Sequence, residues 1–398
     1  MATLTPRKAL EGTAYGRAPQ HHNALLTEVG PGTPGGEFLR RYWHPVAIST
    51  DVTTRPQQVR VLGEDLVLFR DKAGRPGLLY PRCMHRGTTL YYGKVEERGI
   101  RCCYHGWLFG VDGICHEQPC EPEGGLHKDT ARQPWYPLQE LYGLVFAYLG
   151  PPDRMPVLPR YDILEDLKPG HQYHHFGGSF FGFADFVPEH PTVPYNWLQI
   201  YENIMDPFHV YILHSTFSNV QFVEGFKVMP KVDFEYAPAA TVYHAKRELP
   251  DGRKMDRVSA AMLPNIAAVP SIDLSPGRSN SMQWFVPVDD THWIGFMVTA
   301  SDKREFAGGF PIYNGKTWTQ ATEQERQDFP SDFEAQMGQG PINLHSEEHL
   351  ATSDKGVAML RRLLTQQIKA VQEGGDPQGV CFDESQALVK VLSGNFYQ

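Results

Sequence analysis

No uninterrupted apolar run in this 398-residue chain approaches the ~20 residues needed to cross a bilayer. The start, Met1 to Gly36, has no signal-peptide apolar core. Both absences point to the cytoplasm. An excess of positive charge is missing too. The 37 Lys and Arg against 46 Asp and Glu give a formal net charge of -9, which argues against non-specific nucleic-acid binding. Internal repeats and low-complexity tracts are absent. What remains is ordinary for a globular protein, with 41% hydrophobic and 21% charged residues. That excludes a disordered chain, a fibre and a disulfide-stapled scaffold. At roughly 150 residues per domain, two or three domains are expected.

A credible nicotinamide or flavin site is also lacking. Gly30-Pro31-Gly32-Thr33-Pro34-Gly35 formally matches G-x-G-x-x-G. That fingerprint needs a strand before it and a helix after the tight turn. Residues 23–29 make a poor strand, and two prolines lie inside the motif, so it reads as a Pro/Gly turn.

Residues 1–25 are polar and aperiodic, the start of a loose N-terminal arm (1–40). Short strands between turns follow to Gly150, including a hairpin of 58–63 with 66–70 and an apolar strand at 144–149. Gly150-Pro151-Pro152-Asp153 is the best boundary, giving domains 41–152, all-β, and 153–398, mixed. In the second, 197–214 reads as helix interrupted at Pro207. Residues 241–245 and 292–298 read as strands, and 302–345 as a polar loop. Residues 353–372 form a helix in which Val357, Leu360, Leu363, Leu364, Ile368 and Val371 recur at three- and four-residue steps.

Of six cysteines, five (Cys83, Cys102, Cys103, Cys115, Cys120) fall between positions 83 and 120, and the sixth is Cys381. In a reducing compartment such a cluster means metal or redox chemistry. Cys83-Met84-His85 and Cys102-Cys103-Tyr104-His105 form C-x-H and C-x-x-H. Two thiolates and two imidazoles suit a [2Fe–2S] cluster with the cysteines on one iron and the histidines on the other. A structural Cys₂His₂ zinc site uses the same ligand types, but it keeps like ligands together. Here each segment carries one of each. Cys103, Cys115 and Cys120 have no matching partners.

Tyr201-Glu-Asn-Ile-Met-Asp206-Pro-Phe-His209-Val-Tyr-Ile-Leu-His214 is a second constellation. Residues five apart lie about 140° apart on an ideal α-helix, so His209 and His214 converge only where the helix is distorted. Pro207 offers a reason. Two histidines and a carboxylate make the facial triad of non-haem Fe(II) oxygenases. Asp206 is a poor third ligand on position alone. Asp354, at the start of the long helix, is the better candidate, although a simple helix-start acid is an equal reading.

At these residues the sequence resembles the Rieske non-haem iron aromatic ring-hydroxylating oxygenases, and more narrowly the branch around the phthalate 4,5-dioxygenase oxygenase component. The resemblance runs through Arg41-Tyr-Trp-His-Pro-Val46, Cys83-Met-His-Arg-Gly-Thr-Thr-Leu90, Cys103-Tyr-His-Gly-Trp107, Glu202-Asn-Ile-Met-Asp206 and Glu348-His-Leu-Ala-Thr-Ser-Asp354. It implies that Cys83, His85, Cys102 and His105 hold a Rieske cluster. It assigns a mononuclear Fe(II) to His209, His214 and Asp354, makes Asp206 the bridging carboxylate, and puts Asn203 close to the iron. The implied fold is α+β: an all-β Rieske domain, then a helix-grip domain with an antiparallel sheet around a long C-terminal helix. The implied assembly is a head-to-tail homotrimer or a dimer of trimers, served by a separate NAD(P)H-dependent flavin/[2Fe–2S] reductase.

The activity so implied is O₂-dependent mono- or dihydroxylation of an aromatic substrate bearing a carboxylate. Aryl-ether O-demethylation with release of formaldehyde is the alternative. Two other classes compete: a pure electron-carrying Rieske ferredoxin, and a zinc-stabilised helix-grip binding protein. A carboxylate would call for a buried Arg or Lys. Lys246, Arg247, Arg253, Arg257 and Arg278 lie in the right half, and surface charge is the reading for each.

Overall fold

The computed structural model describes residues 14, 17–165, 167–178, 192–302 and 313–398. Residues 1–13 and 15–16 of the expected arm lie outside the described residues. The rest of the arm is not loose. α1 (Ala24–Thr27) and α2 (Pro34–Leu39) bury Leu26, Phe38 and Leu39 in the main core. The Gly/Pro run is a turn that starts α2. The Thr33 side chain accepts from Gly36 N, and Pro34 takes the first helical position, where no N–H is needed.

The next stretch is built of strands. β1 (Trp43–Ile48) precedes the hairpin β2 (Gln57–Val61) and β3 (Glu64–Arg70). Then come β4 (Pro76–Leu79), β5 (Lys94–Glu96), β6 (Gly99–Arg101), β7 (Leu108–Phe109), β8 (Cys115–Glu117), β9 (Trp135–Tyr136), β10 (Leu138–Leu141) and β11 (Leu144–Tyr148). They pair antiparallel in three sheets, ordered β1-β11-β10, β2-β3-β4-β9 and β5-β6-β7-β8.

The later part is mixed, as expected. β12 (Arg160–Tyr161), α3 (Asp162–Glu165) and β13 (Gln172–Gly178) lead to α4 (Trp197–Asn203) and α5 (Pro207–Tyr211). β14 (Lys231–Ala237), β15 (Ala240–Glu248), β16 (Lys254–Met262), β17 (Ile266–Ala268), β18 (Gly277–Arg278), β19 (Ser281–Asp289) and β20 (His292–Ser301) supply the sheet. α6 (Glu323–Asp328), α7 (Asp332–Met337), α8 (Lys355–Gln372), β21 (Leu388–Val389) and β22 (Gly394–Tyr397) follow. The antiparallel sheet runs β13-β20-β19-β17-β16-β15-β14, with β22 bridging β16 and β18.

α8 lies against this sheet. Its apolar face buries Val357, Leu360, Leu363, Leu364, Ile368 and Val371, each worth roughly 1.5–3 kcal/mol of transfer free energy. A Cβ at Gly356 would meet the Phe234 ring and Met205 O at 2.4 Å, so α8 starts flush against β14 and the end of α4. Arg361 of α8 reaches back to buried Glu202 of α4 with two bonds of 2.5 and 2.6 Å. The stretch expected to be loop-like, 302–345, instead holds α6 and α7. Both are six residues long, α6 wholly polar and α7 with only Phe333, Ala335 and Met337 apolar, too short to show a helical period. Thr322 and Ser331 open them with capping boxes to Glu325 and Glu334.

Candidate metal centres

Two loops of like design bring the first donor set together. One leaves β4 and the other joins β6 to β7. In the first, Cys83 N donates to Thr88 O and Gly87 N to Cys83 O, both at 2.8 Å. In the second, Cys102 N donates to Trp107 O at 2.9 Å and Gly106 N to Cys102 O at 3.1 Å. Each turn needs a left-handed residue at its fifth position. Gly87 and Gly106 take φ of 76° and 75° there. Buried Gln133 pins the first loop, accepting from Met84 N and donating to the carbonyls of Tyr80 and Arg82.

The thiols of Cys83 and Cys102 are buried, while the imidazoles of His85 and His105 stand toward the tip with ring centroids 4.6 Å apart. Trp107 stacks on His85 at 4.5 Å and 3°. Burial, and the adjoining Cys102 thiol, push the Cys83 thiol up to about 12. Two thiols so placed ionise together only with cations between them, which fits an iron–sulfur group. Cys103 and Cys120 are exposed, and Cys115 is buried in the same apolar cluster as the pair.

The second set is assembled by α5 and the turn after it. Pro207 sits at the first position of α5, and Asp206 caps that helix, accepting from Phe208 N and His209 N. Proline therefore starts a helix here. The distortion that joins the histidines comes later, in the π-turn Ile212–Phe217. Its i→i+5 bonding brings residues five apart onto one side. The rings of His209 and His214 are 5.3 Å apart.

Their third partner is Asp332, at the first position of α7. His209 Nε2 lies 3.5 Å from Asp332 Oδ1, and His214 Nε2 lies 3.1 Å from Oδ2. One donor atom from each of the three lies within 4.8 Å of the others. Donors ~2.1 Å from one ion, roughly at right angles, stand about 3 Å from each other, so the set fits a metal.

The outer nitrogens are also engaged. His209 Nδ1 meets the Asp206 carbonyl, with Asp206 Oδ2 at 3.6 Å, and His214 Nδ1 donates to Gln221 Oε1 at 2.6 Å. Asn203 Nδ2 donates to Asp332 Oδ1 at 3.1 Å. Burial alone would raise the Asp332 carboxyl; His214, then His209 and Asn203, hold it well below the usual range. Burial likewise opposes a charged His209, but Asp206 and Asp332 outweigh it and raise its proton affinity.

Asp354 is not in this set. It stands at the N-cap of α8, where its Oδ2 accepts from Ala351 N at 2.7 Å. The helix-start reading is the one its geometry supports, and Asp332 takes the place next to the histidines. Asp332 carried the same local sign, a serine followed by an aspartate at a helix start, with the S-x-x-E capping box as the signal that was missed. A further acid-and-imidazole group, Glu202, His345 and Glu348, is already filled by the Arg361 guanidinium.

A buried thiol/imidazole pair of loops and a two-histidine, one-carboxylate centre define an iron–sulfur oxidoreductase with a second, oxygen-handling metal. Residues 42–138 match the family model described as Rieske [2Fe-2S] domain. The chain is 63% identical over 386 residues to phenoxybenzoate dioxygenase subunit alpha of Ectopseudomonas oleovorans, covering 97% of this chain and 94% of that one. It is 33% identical over 381 residues to the 5,5'-dehydrodivanillate O-demethylase oxygenase subunit of a Sphingobium species, covering 91% and 83%. Dicamba monooxygenase bound to dicamba shares the fold at a TM-score of 0.60 and 14% identity, over 85% of this chain and 99% of that one. The chain belongs to the Rieske non-haem iron oxygenases, which carry a [2Fe–2S] cluster and a mononuclear iron. Among the described residues no helix is long and apolar enough to cross a membrane.

Proposed function

We propose that this chain is the oxygenase subunit of a multicomponent system that oxidises an aromatic carboxylate with O₂, phenoxybenzoate being the model substrate. The observation that carries the reading is the convergence of His209, His214 and Asp332 in a chain that also presents the Cys83–His85 and Cys102–His105 loops. In this role the loop residues hold the cluster and the other three hold the iron. When bound, these groups supply single electrons and open positions for O₂ and substrate.

The chain's own residues hold the geometry. Asp206 and Gln221 fix the two imidazoles through Nδ1, and Asn203 steadies the Asp332 carboxylate. The substrate class draws support from 63% identity to a phenoxybenzoate dioxygenase subunit. The O-demethylase relative supports a second reading, cleavage of an aryl ether with release of formaldehyde.

The names of the relatives as subunits, and the lack of a nucleotide motif, support a separate reductase. Exposed Met84 and Tyr104 flank the cluster histidines, and exposed Ile212 and Phe217 flank His214. Such apolar rims support a head-to-tail trimer in which Asp206 of one copy faces the cluster of the next. The division at 150–153 and a cytoplasmic location belong to the same reading. The test is turnover of phenoxybenzoate by the reconstituted protein with a surrogate reductase, scoring O₂ uptake, hydroxylated product and formaldehyde. Reduced cluster with no substrate-dependent O₂ uptake would overturn it.

A further inference from the structure

A buried charge without an opposite charge is costly, and the catalytic half holds two. The surface reading holds for Lys246, Arg253 and Arg278, which pair with Asp233, Asp251 and Asp162. It fails for Arg247 on β15 and Arg257 on β16, which are only 5% and 4% exposed. Neither meets a carboxylate among the described residues. Arg257 instead donates to neutral acceptors: the carbonyls of Pro270 and Ser271 and the side-chain oxygen of Asn395, at 2.8–2.9 Å. Among the described residues Arg247 makes one hydrogen bond, Nε to Val228 O at 3.0 Å, and its buried Nη1 has no acceptor. Burial above all, and the neighbouring Arg257 cation, pull Arg247 down to about 10. The pair wants an anion that the described part of the chain does not supply.

Their location says which anion. Tyr243, Ala245 and Arg247 alternate along the buried face of β15, and Arg257 stands opposite Ala245 in register. Both guanidiniums lie over the Phe226 ring, at 5.5 and 5.3 Å. Phe226, Leu249, Met255 and Leu274 form one apolar cluster, against which Val210 and Phe222 pack. Val210 follows His209 in the chain. The Phe222 ring is 4.6 Å from the His214 ring and 6.2 Å from Phe226. An aromatic wall thus runs from the iron ligands to the unpaired guanidinium.

We infer that Arg247, backed by Arg257, is the anchor for the substrate's carboxylate, and that the substrate is an extended aromatic acid with its oxidised ring beside His209, His214 and Asp332. This rests on the oxygenase reading above. A carboxylate takes an N–H of Arg247 that no group among the described residues uses, and a charge-assisted bond in a dry site is among the stronger ones. Phe222, which is only partly buried, offers a face along which an aryl group lies, and buried Phe226 backs it.

The test uses the holoenzyme, with phenoxybenzoate and its uncharged amide as probes in calorimetric titrations. The parent is expected to bind the acid roughly 10–100-fold more tightly than the amide. Arg247→Gln is expected to remove most of that ratio while the amide's affinity stays within about threefold of the parent's. A parent that separates acid from amide by less than about threefold overturns the anchor, and that measurement stands even if the variant does not fold. Equal weakening of both probes in Arg247→Gln, or of neither, overturns it too. Acid bound through Arg247 without any oxidation would instead sink the oxygenase reading and leave the anchor. Undiminished acid binding and turnover in Arg247→Gln would do the reverse.

Discussion

His214 Nδ1 and Gln221 Oε1 lie 2.6 Å apart, and the amide nitrogen of the same Gln221 reaches the carbonyls of Phe329 and Pro330 at 3.3 and 3.1 Å. One side chain therefore fixes an imidazole and the loop that delivers Asp332. Gln221→Leu is expected to weaken mononuclear iron binding by roughly 10–100-fold with the visible cluster spectrum unchanged. Iron retention against a competing chelator measures this. Parental retention would show that the loop holds its place without Gln221.

Asp332→Ala should abolish oxygenation and empty the mononuclear site, because two imidazoles alone make a poor iron site. Asp354→Ala should keep its iron and its turnover, and lose only about 1 kcal/mol of stability with the bond its carboxylate accepts from Ala351 N. Iron stoichiometry and thermal unfolding of the two variants separate the roles. Loss of iron from Asp354→Ala, with Asp332→Ala intact, would reverse the assignment.

Replacing His85 or His105 with Ala should bleach the cluster while the far-ultraviolet circular dichroism of the sheet-and-helix half persists. The two loops are closed by their own Cys–Gly backbone bonds, so the lost imidazole costs a ligand and not the loop. A single-histidine variant with full visible absorbance would refute the ligand set.

Asp206→Asn is a clean probe because asparagine caps α5 as well as aspartate does. Both metals should stay bound. Reduction of the cluster by external electrons should be normal, while its reoxidation with substrate and O₂ present collapses. Stopped-flow absorbance follows that step directly. An unchanged reoxidation rate would take Asp206 out of the electron path.

Stability should fall with acid through His44. Its Nε2 donates to Leu39 O at 2.8 Å, and its buried Nδ1 has no hydrogen-bond partner among the described residues. Burial, more than anything else, lowers its pKa from 6.5 to about 4. The native state therefore binds fewer protons than the unfolded chain between those values. Its contribution is complete above pH 6.5 and is lost as pH falls toward 4, at about 1.4 kcal/mol per unit once well inside that window. Thermal unfolding at pH 7, 5.5 and 4.5 should show the parent's lead over His44→Gln shrinking with acid. A constant gap would contradict it.

Legibility in the sequence followed chain separation. The proposed cluster ligands are legible as candidates because each loop is a closed local turn whose residue types and glycine are set within five positions. His209 and His214 are legible as candidates, but the π-turn that joins them leaves no clear mark in the sequence, whereas Pro207, the visible irregularity, starts α5. Asp332 and Asp354 each follow a serine at a helix start, so local pattern could not rank them. Only tertiary packing does, through Gln221 and Asn203. The buried arginines carried a usable sign, since strand alternation puts Arg247 on the face of Tyr243 and Ala245, opposite exposed Lys246 and Glu248.

The pairing of β22 with β16 has a consequence for the order of maturation. Among the described residues strands β1 to β11 pair only with one another, so the cluster loops can close while later residues are still being made. The sheet of the second half waits for almost the last residues of this chain, because Asn395 must reach Arg257 and Gly394 must reach Val258. α8, which holds α4 through Arg361 and Glu202, is also late. The order of synthesis therefore lets the first pair of loops close before the second sheet can be completed.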